Sequence, residues 1–378
     1  MRISTRTLLA ILAIVAVLGS LLVPATAQSV DFAGIEKKIK QFSDAGNYAA
    51  AVIEAQKLEA AVRAKFGTNH LNYAVALENL ANLYDDQGKY DEAEGLYTRA
   101  MAIRESALGA NHPDVAEIIN NLANVNTEQG KYAEAVGLYK RALAIKEKTL
   151  GANHPDVART LNNLGVTYKE QGKYAEAEGM QKRALAIREK TLGANHPDVA
   201  ATLSNLANVY REQSRYAEAE EFNKRALAIE EKVLGASHPN VAKSLHNLGV
   251  VYDDQGKYIE AAGLYKRALA IEEKTLGVSH PDVANTLAVL GVAYWNQGKY
   301  AEAEGLYKRA LTIQEKALGA NHPDVARTLD NLANVYDDQG RSSEAERLYK
   351  RVLSIREEVL GANHPDRNVS MTLKHLVS

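Results

Sequence analysis

Apolar residues return along the chain at helical spacing, in stripes that repeat every 42 residues. The pattern is cleanest from His154 to Asn195. There Val157, Leu161, Leu164, Gly165 and Tyr168 fall at i, i+4, i+7, i+8 and i+11. That spacing lines one face of an α-helix. Pro155 suits the first helical position, where its missing N–H costs nothing. Gln171-Gly172 ends the helix, with glycine supplying the left-handed stop. A second helix is predicted from about Tyr174 to Thr191, with Ala177, Met180, Ala184 and Ile187 as its stripe and Gly193 just past its end. Glu178 and Lys182 stand four apart in the favourable order on its exposed side. Small residues, Gly165, Ala177 and Ala184, fall where the two helices must touch.

The same helix pair returns without insertion or deletion. Gly-Lys-Tyr starts at Gly88, Gly130, Gly172, Gly256 and Gly298, with weaker forms at Gly46, Ser214 and Gly340. His-Pro starts at His112, His154, His196, His238, His280, His322 and His364, and His70 holds the same place without its proline. A fixed period of this length is the signature of a solenoid, in which each pair packs on its neighbours. Residues 28–67 form a degenerate first repeat or cap, with Ile35, Ile39 and Phe42 in one helix and Tyr48, Ala51 and Leu58 in the next. Residues 68–362 hold seven clear units. Residues 363–378 leave room for a closing helix with Val369, Leu373 and Leu376 as its stripe.

Leu164-Gly165, Tyr168, Gly172, Tyr174, Ala177 and Ala184 resemble the tetratricopeptide repeat. The period of 42 and the run HPDVA…LNNLG…Y…QGKY…A resemble its kinesin light chain variety. The proline usual near the end of the second helix is replaced by Glu189, so a longer second helix accounts for much of the added length. The resemblance implies an all-α fold, a right-handed α-α superhelical solenoid whose first helices line a concave groove. It also implies a non-enzymatic scaffold that binds a protein or an extended peptide segment.

Composition narrows the setting. Residues 1–27 read as a secretory signal peptide: Arg2 and Arg6, an apolar run from Leu8 to Val23, then Ala25-Thr26-Ala27. Cleavage after Ala27 would leave Gln28 first and the protein exported, periplasmic or secreted. An uncleaved anchor is the alternative, but the run is short for a span of ~20 residues. The formal net charge is −2, and losing the leader removes two arginines. No basic footprint for nucleic acid remains. With no cysteine, neither a disulfide nor a lipid-attached cysteine is possible.

No phosphate loop, HExxH, GxSxG or cysteine pair is present. The histidines recur one unit apart, so they form a row rather than the converging ligand set that zinc needs. Their expected role is to lock the turn between units. No cofactor or metal is expected. Paired acids end three first helices, Asp85-Asp86, Asp253-Asp254 and Asp337-Asp338, against the helix dipole. They read as a solvated edge with ion pairs between units, or as one part of a groove charged differently along its length.

The face of each first helix not needed for the core is the candidate binding surface. Asparagine recurs there at Asn79, Asn121, Asn163, Asn205, Asn247 and Asn331, with a second row at Asn82, Asn124, Asn208 and Asn334. An amide both donates and accepts, so such a ladder can hold a peptide backbone whatever its sequence. Members of the resembled family use asparagines in this way. The alternative is that they bridge adjacent first helices. The sixth clear unit departs from the pattern, with Val289 in the first row, Val292 in the second, and Trp295 where siblings carry Asp85, Thr127, Lys169, Arg211, Asp253 or Asp337. With Ala288 these residues give the helix a second apolar face, which a buried or partner-meeting helix would have. The expected element is an apolar pocket anchoring one partner side chain. The alternative is that Trp295 folds onto the neighbouring unit.

Overall fold

The protein, analysed as a computed structural model, is described over residues 31–360, with side chains to 358. The leader and the expected closing helix at 363–378 lie outside the described residues. Among those residues there are sixteen α-helices and no strand. The degenerate pair is α1 (Phe32–Asp44) and α2 (Tyr48–Phe66). Seven pairs follow: α3 (Leu71–Asp86) with α4 (Tyr90–Leu108), α5 (Pro113–Glu128) with α6 (Tyr132–Leu150), and α7 (Pro155–Glu170) with α8 (Tyr174–Leu192). Then come α9 (Pro197–Glu212) with α10 (Tyr216–Leu234), α11 (Pro239–Asp254) with α12 (Tyr258–Leu276), α13 (Pro281–Asn296) with α14 (Tyr300–Leu318), and α15 (Pro323–Asp338) with α16 (Ser342–Leu360).

The caps explain why the boundaries repeat. Each histidine before a first helix is extended, and its Nδ1 accepts the N–H two residues on, at 3.1 Å for His154 and Asp156. An N-cap of this kind is typically worth ~1 kcal/mol. The histidine row therefore starts helices. At the other end, the turn glycine takes a positive φ, +71° at Gly172. Ser214 replaces that glycine once and is held at φ +59°.

Packing divides the chain into two compact units, one up to Thr191 and one from Leu192 on. Within each, every helix packs on the next in sequence, and the first helices α5 and α7, α9 and α11, and α13 and α15 touch directly. The predicted stripe is the core: Val157, Leu161, Leu164, Tyr168, Ala177, Ala184 and Ile187 are all buried. Gly165 is small for a reason, since a Cβ there would lie 2.7 Å from Gln181 Nε2. Successive second helices are joined outside by ion pairs, Arg141 with Glu105, Arg267 with Glu231, and Arg351 with Glu315. Exposed pairs of this kind add little stability each. They mark a register that each unit repeats.

Candidate peptide-binding face

The structure separates the two asparagine rows by their partners, since each row mixes buried and half-buried members. In the first row Asn79 and Asn121 are buried, whereas Asn163, Asn205, Asn247 and Asn331 are half-buried. Among the described residues the Asn247 and Asn331 side chains make no hydrogen bond, while Asn163 donates to Asn124 of the preceding unit at 2.9 Å. One first-row asparagine thus bridges adjacent first helices.

The second row is tied to the core. Tyr97 donates its hydroxyl to Asn82 at 2.5 Å, Tyr139 to Asn124 at 2.5 Å, and Tyr349 to Asn334 at 2.6 Å. Each tyrosine comes from the second helix of the same unit and is almost fully buried. Its hydroxyl needs an acceptor, and the asparagine carbonyl supplies it. Asn208 faces a different partner position, because Asn223 replaces the tyrosine. Both Asn223 amide atoms are buried without a partner among the described residues.

Sequence reasoning missed this tyrosine row, yet a signal for it exists. Where the second row has asparagine, the residue before it is alanine: Ala81-Asn82, Ala123-Asn124, Ala207-Asn208, Ala333-Asn334. Where it has valine, the residue before it is glycine: Gly165-Val166, Gly249-Val250, Gly291-Val292. Without the asparagine, the second-helix side chain settles over the glycine instead. A Cβ at Gly249 would stand 2.5 Å from the Tyr265 ring, and one at Gly291 would stand 2.8 Å from the Tyr307 ring. Tyr265 finds a substitute acceptor in Asp253 at 2.7 Å. Tyr307 does not, since Trp295 occupies the aspartate's place, and its buried hydroxyl has no partner among the described residues.

The sixth unit holds a second orphan. Arg104 pairs with Glu78 in its own unit, and Arg356 with Asp330. Gln314 and Ala288 hold those two positions in the sixth unit, and both Gln314 amide atoms are buried without a partner. Val289 packs beside Tyr265, Leu290 and Ala293. Val292 and Trp295 pack against the core of the seventh unit, and Trp295 Nε1 donates to Asp338 at 2.5 Å. The stripe of Val289, Val292 and Trp295 is therefore half-buried, and its tryptophan is tethered to the next first helix.

Charge along this face is settled locally. Arg211 reaches Asp254 of the next unit at 2.5 Å. Burial pushes the Asp253 carboxyl up, against the Tyr265 hydrogen bond that lowers it, to about 6. Burial likewise raises Glu78 to about 7 against the pull of Arg104, and it lowers His246. Among the described residues no group of three or more His, Cys, Asp or Glu could hold a metal ion. No described helix is long and apolar enough to cross a membrane.

The chain belongs to the tetratricopeptide repeat family, whose model matches residues 42–106, 86–148, 114–190, 156–232, 198–274, 254–316 and 282–358. Its unit is of the kinesin light chain-like type. A solved Podosopora anserina protein, titled a kinesin light chain of nearly identical TPR-like repeats, is 32% identical over 54% of this chain and 97% of its own, with a TM-score of 0.50. BtubC (BKLC) from P. vanneervenii is 26% identical over 64% of this chain and 92% of its own, with a TM-score of 0.50. A tetratricopeptide repeat protein from Parabacteroides merdae shares the fold at 22% identity, over 80% of this chain and 98% of its own, with a TM-score of 0.54. Among curated proteins no significant match is found.

Proposed function

We propose that this chain is a non-enzymatic scaffold, acting outside the cytoplasm after its leader is removed. It holds an extended segment of a partner protein across the polar face of its first helices. The observation that carries this reading is the row of half-buried asparagines Asn205, Asn247 and Asn331 at one register of the second compact unit, with the Asn247 and Asn331 side chains making no hydrogen bond among the described residues. Amides at a repeat spacing meet backbone groups without reading side chains, so affinity comes from the peptide chain itself. In the second row (Asn82, Asn124, Asn208 and Asn334), Asn124 accepts from Asn163 of the first. Val289, Val292 and Trp295 supply the apolar contact that would choose one residue of the partner. In the alternative, the chain is a recognition module that recruits or regulates an enzyme on a separate chain, through the same face.

The test is selection of peptides from a random display library on the immobilised full chain. Selected peptides should lose affinity for the Asn247→Ala, Asn331→Ala variant by ~5-fold or more, the worth of one or two hydrogen bonds. Peptides that bind wild type and variant alike would place recognition elsewhere.

A further inference from the structure

At the turn edge of the array, away from the asparagine rows, a carboxylate is held by donors of two successive units. Glu220 accepts from Lys224 at 2.6 Å, Gln255 Nε2 at 3.0 Å, Lys257 at 3.1 Å and the Tyr252 hydroxyl at 3.4 Å. Lys224 and Lys257 also lie over the Tyr252 ring, at 5.8 and 5.1 Å from its centre. Burial alone would raise the Glu220 carboxyl, yet hydrogen bonds from Lys224, Gln255 and Lys257 hold it down at about 2. Two units on, Glu304 sits in the same cradle of Lys308 at 2.6 Å, Arg341 at 2.7 Å and the Tyr336 hydroxyl at 3.3 Å. The cradle is a carboxylate receptor whose occupant is part of the chain.

Between these two units the receptor is built and the carboxylate is absent. Position 262, which matches Glu220 and Glu304, is alanine. The donors remain. Lys266 and Lys299 lie over the Tyr294 ring, at 5.0 and 5.4 Å from its centre, and Gln297 keeps its place, its Nε2 donating to the Tyr258 carbonyl at 2.8 Å and, in place of the missing carboxylate, to the Ala293 carbonyl at 3.0 Å. Lys299 donates to Gln297 Oε1 at 2.8 Å. Among the described residues neither lysine is ion-paired and the Tyr294 hydroxyl has no partner. A second negative charge is missing too, for Asn296 stands where Asp254 and Asp338 stand in the flanking units. Val136 replaces the same glutamate in the second unit, but a branched side chain takes up its space. Ala262 has only a methyl group to put there.

We propose that the Ala262 junction binds a carboxylate supplied from outside the chain, the side chain of an aspartate or glutamate on a protein partner, in the place that Glu220 and Glu304 fill in the flanking units. The surroundings suit a residue of a chain more than a free ion. A surface cavity of about 520 Å³ shares Gln297 and Lys299 with the cradle and is also lined by Ile259 and Glu260. Ile259 is 73% exposed, where the other clear units carry Asp91, Ala133, Ala175, Ala217, Ala301 or Ser343. It offers an apolar contact beside two cations, which an acidic side chain with its backbone can use and inorganic phosphate cannot. Glu260 faces the same cavity and sets a price on any approach that misses the lysines.

The experiment uses the full chain and three probes: acetyl-Ala-Glu-Ala-amide, its glutamine counterpart and inorganic phosphate. The Gln297 side-chain amide is followed by NMR. The glutamate peptide should shift it saturably, and the other two should not. The shift should be lost in Lys266→Gln, Lys299→Gln and also in Ala262→Glu, whose own carboxylate fills the cradle. Ala262→Glu should melt above Ala262→Gln, a variant of equal size without the charge, which shows that the donors converge even if both melt below wild type. The proposal is overturned by an equal response to the glutamine peptide, by a response to phosphate alone, by binding that survives in Ala262→Glu, or by no saturable shift with the glutamate peptide.

Discussion

The Tyr265 hydroxyl donates to Asp253 at 2.7 Å, and its ring lies where a Gly249 Cβ would stand, 2.5 Å away. One residue's size and another's charge are thus set by where a single ring rests. In the units of Asn82, Asn124 and Asn334 the ring is drawn to the asparagine instead, so the two arrangements exclude each other. Gly291→Ala alone should destabilise the chain by ~1–3 kcal/mol through overpacking against Tyr307. Gly291→Ala with Val292→Asn should recover that loss and add ~0.5–1.5 kcal/mol, because Tyr307 gains the acceptor that Tyr97, Tyr139 and Tyr349 already have. Urea unfolding of both single variants and the double variant measures the coupling. Additive effects would show that the ring does not move between two seats.

Much of this architecture is legible in the sequence. The period, the helix starts at His-Pro and the stops at Gln-Gly are local signals, and α7 and α8 begin and end within a residue of where their stripes predict. The buried stripe from Val157 to Ile187 is equally legible, because burial follows helical spacing. The partners of the asparagine rows are not, since Asn82 and Asn163 are both polar residues on the outer face of a first helix. Only the tyrosine fifteen residues on, brought back by the second helix, distinguishes them. The Glu220 cradle is harder still. Its donors come from two helices and a turn, and no one-unit reading places Lys257 beside Lys224.

Ser214 is held at φ +59°, whereas the other fourteen positive-φ positions among the described residues are all glycine. An L-residue there costs ~1–2 kcal/mol, and glycine returns ~0.4–1 kcal/mol of that through the freedom it gives the unfolded chain. Ser214→Gly should therefore stabilise the protein by ~0.5–1 kcal/mol, read as a higher urea midpoint with unchanged slope. A lower midpoint would mean that the serine side chain contributes more than its backbone strain takes away.

The Asp253 carboxyl, raised from 3.8 to about 6, gives stability a distinct pH dependence. Its folded form holds a proton that its unfolded form has lost, so its contribution is present in full below 3.8 and is lost as pH rises through about 6. Glu220, held down at about 2, works the other way: its contribution is present above 4.5 and is lost as pH falls. Asp253→Asn keeps an acceptor for Tyr265 and removes the titration. Relative to it, wild type should lose stability as pH rises from 3.8 to about 6, the two Asp253 values. Parallel melting curves for the two proteins over that interval would remove the burial argument for Asp253.

Trp295 is half-buried, with its indole N–H bonded to Asp338 and its ring against the seventh unit. Being the only tryptophan, it reports on this contact alone. Charge-assisted hydrogen bonds are among the stronger ones, so the tether orients the ring before any partner arrives. Asp338→Ala should release the indole, and emission should shift to the red and become easier to quench. A peptide that seats a side chain on Val289, Val292 and Trp295 should do the reverse in wild type, shifting emission to the blue as the remaining exposed edge is covered. In Asp338→Ala the same peptide should bind more weakly, because the ring must first be ordered. If peptides selected on the full chain leave the emission unchanged while binding tightly, the stripe serves only to join the sixth unit to the seventh.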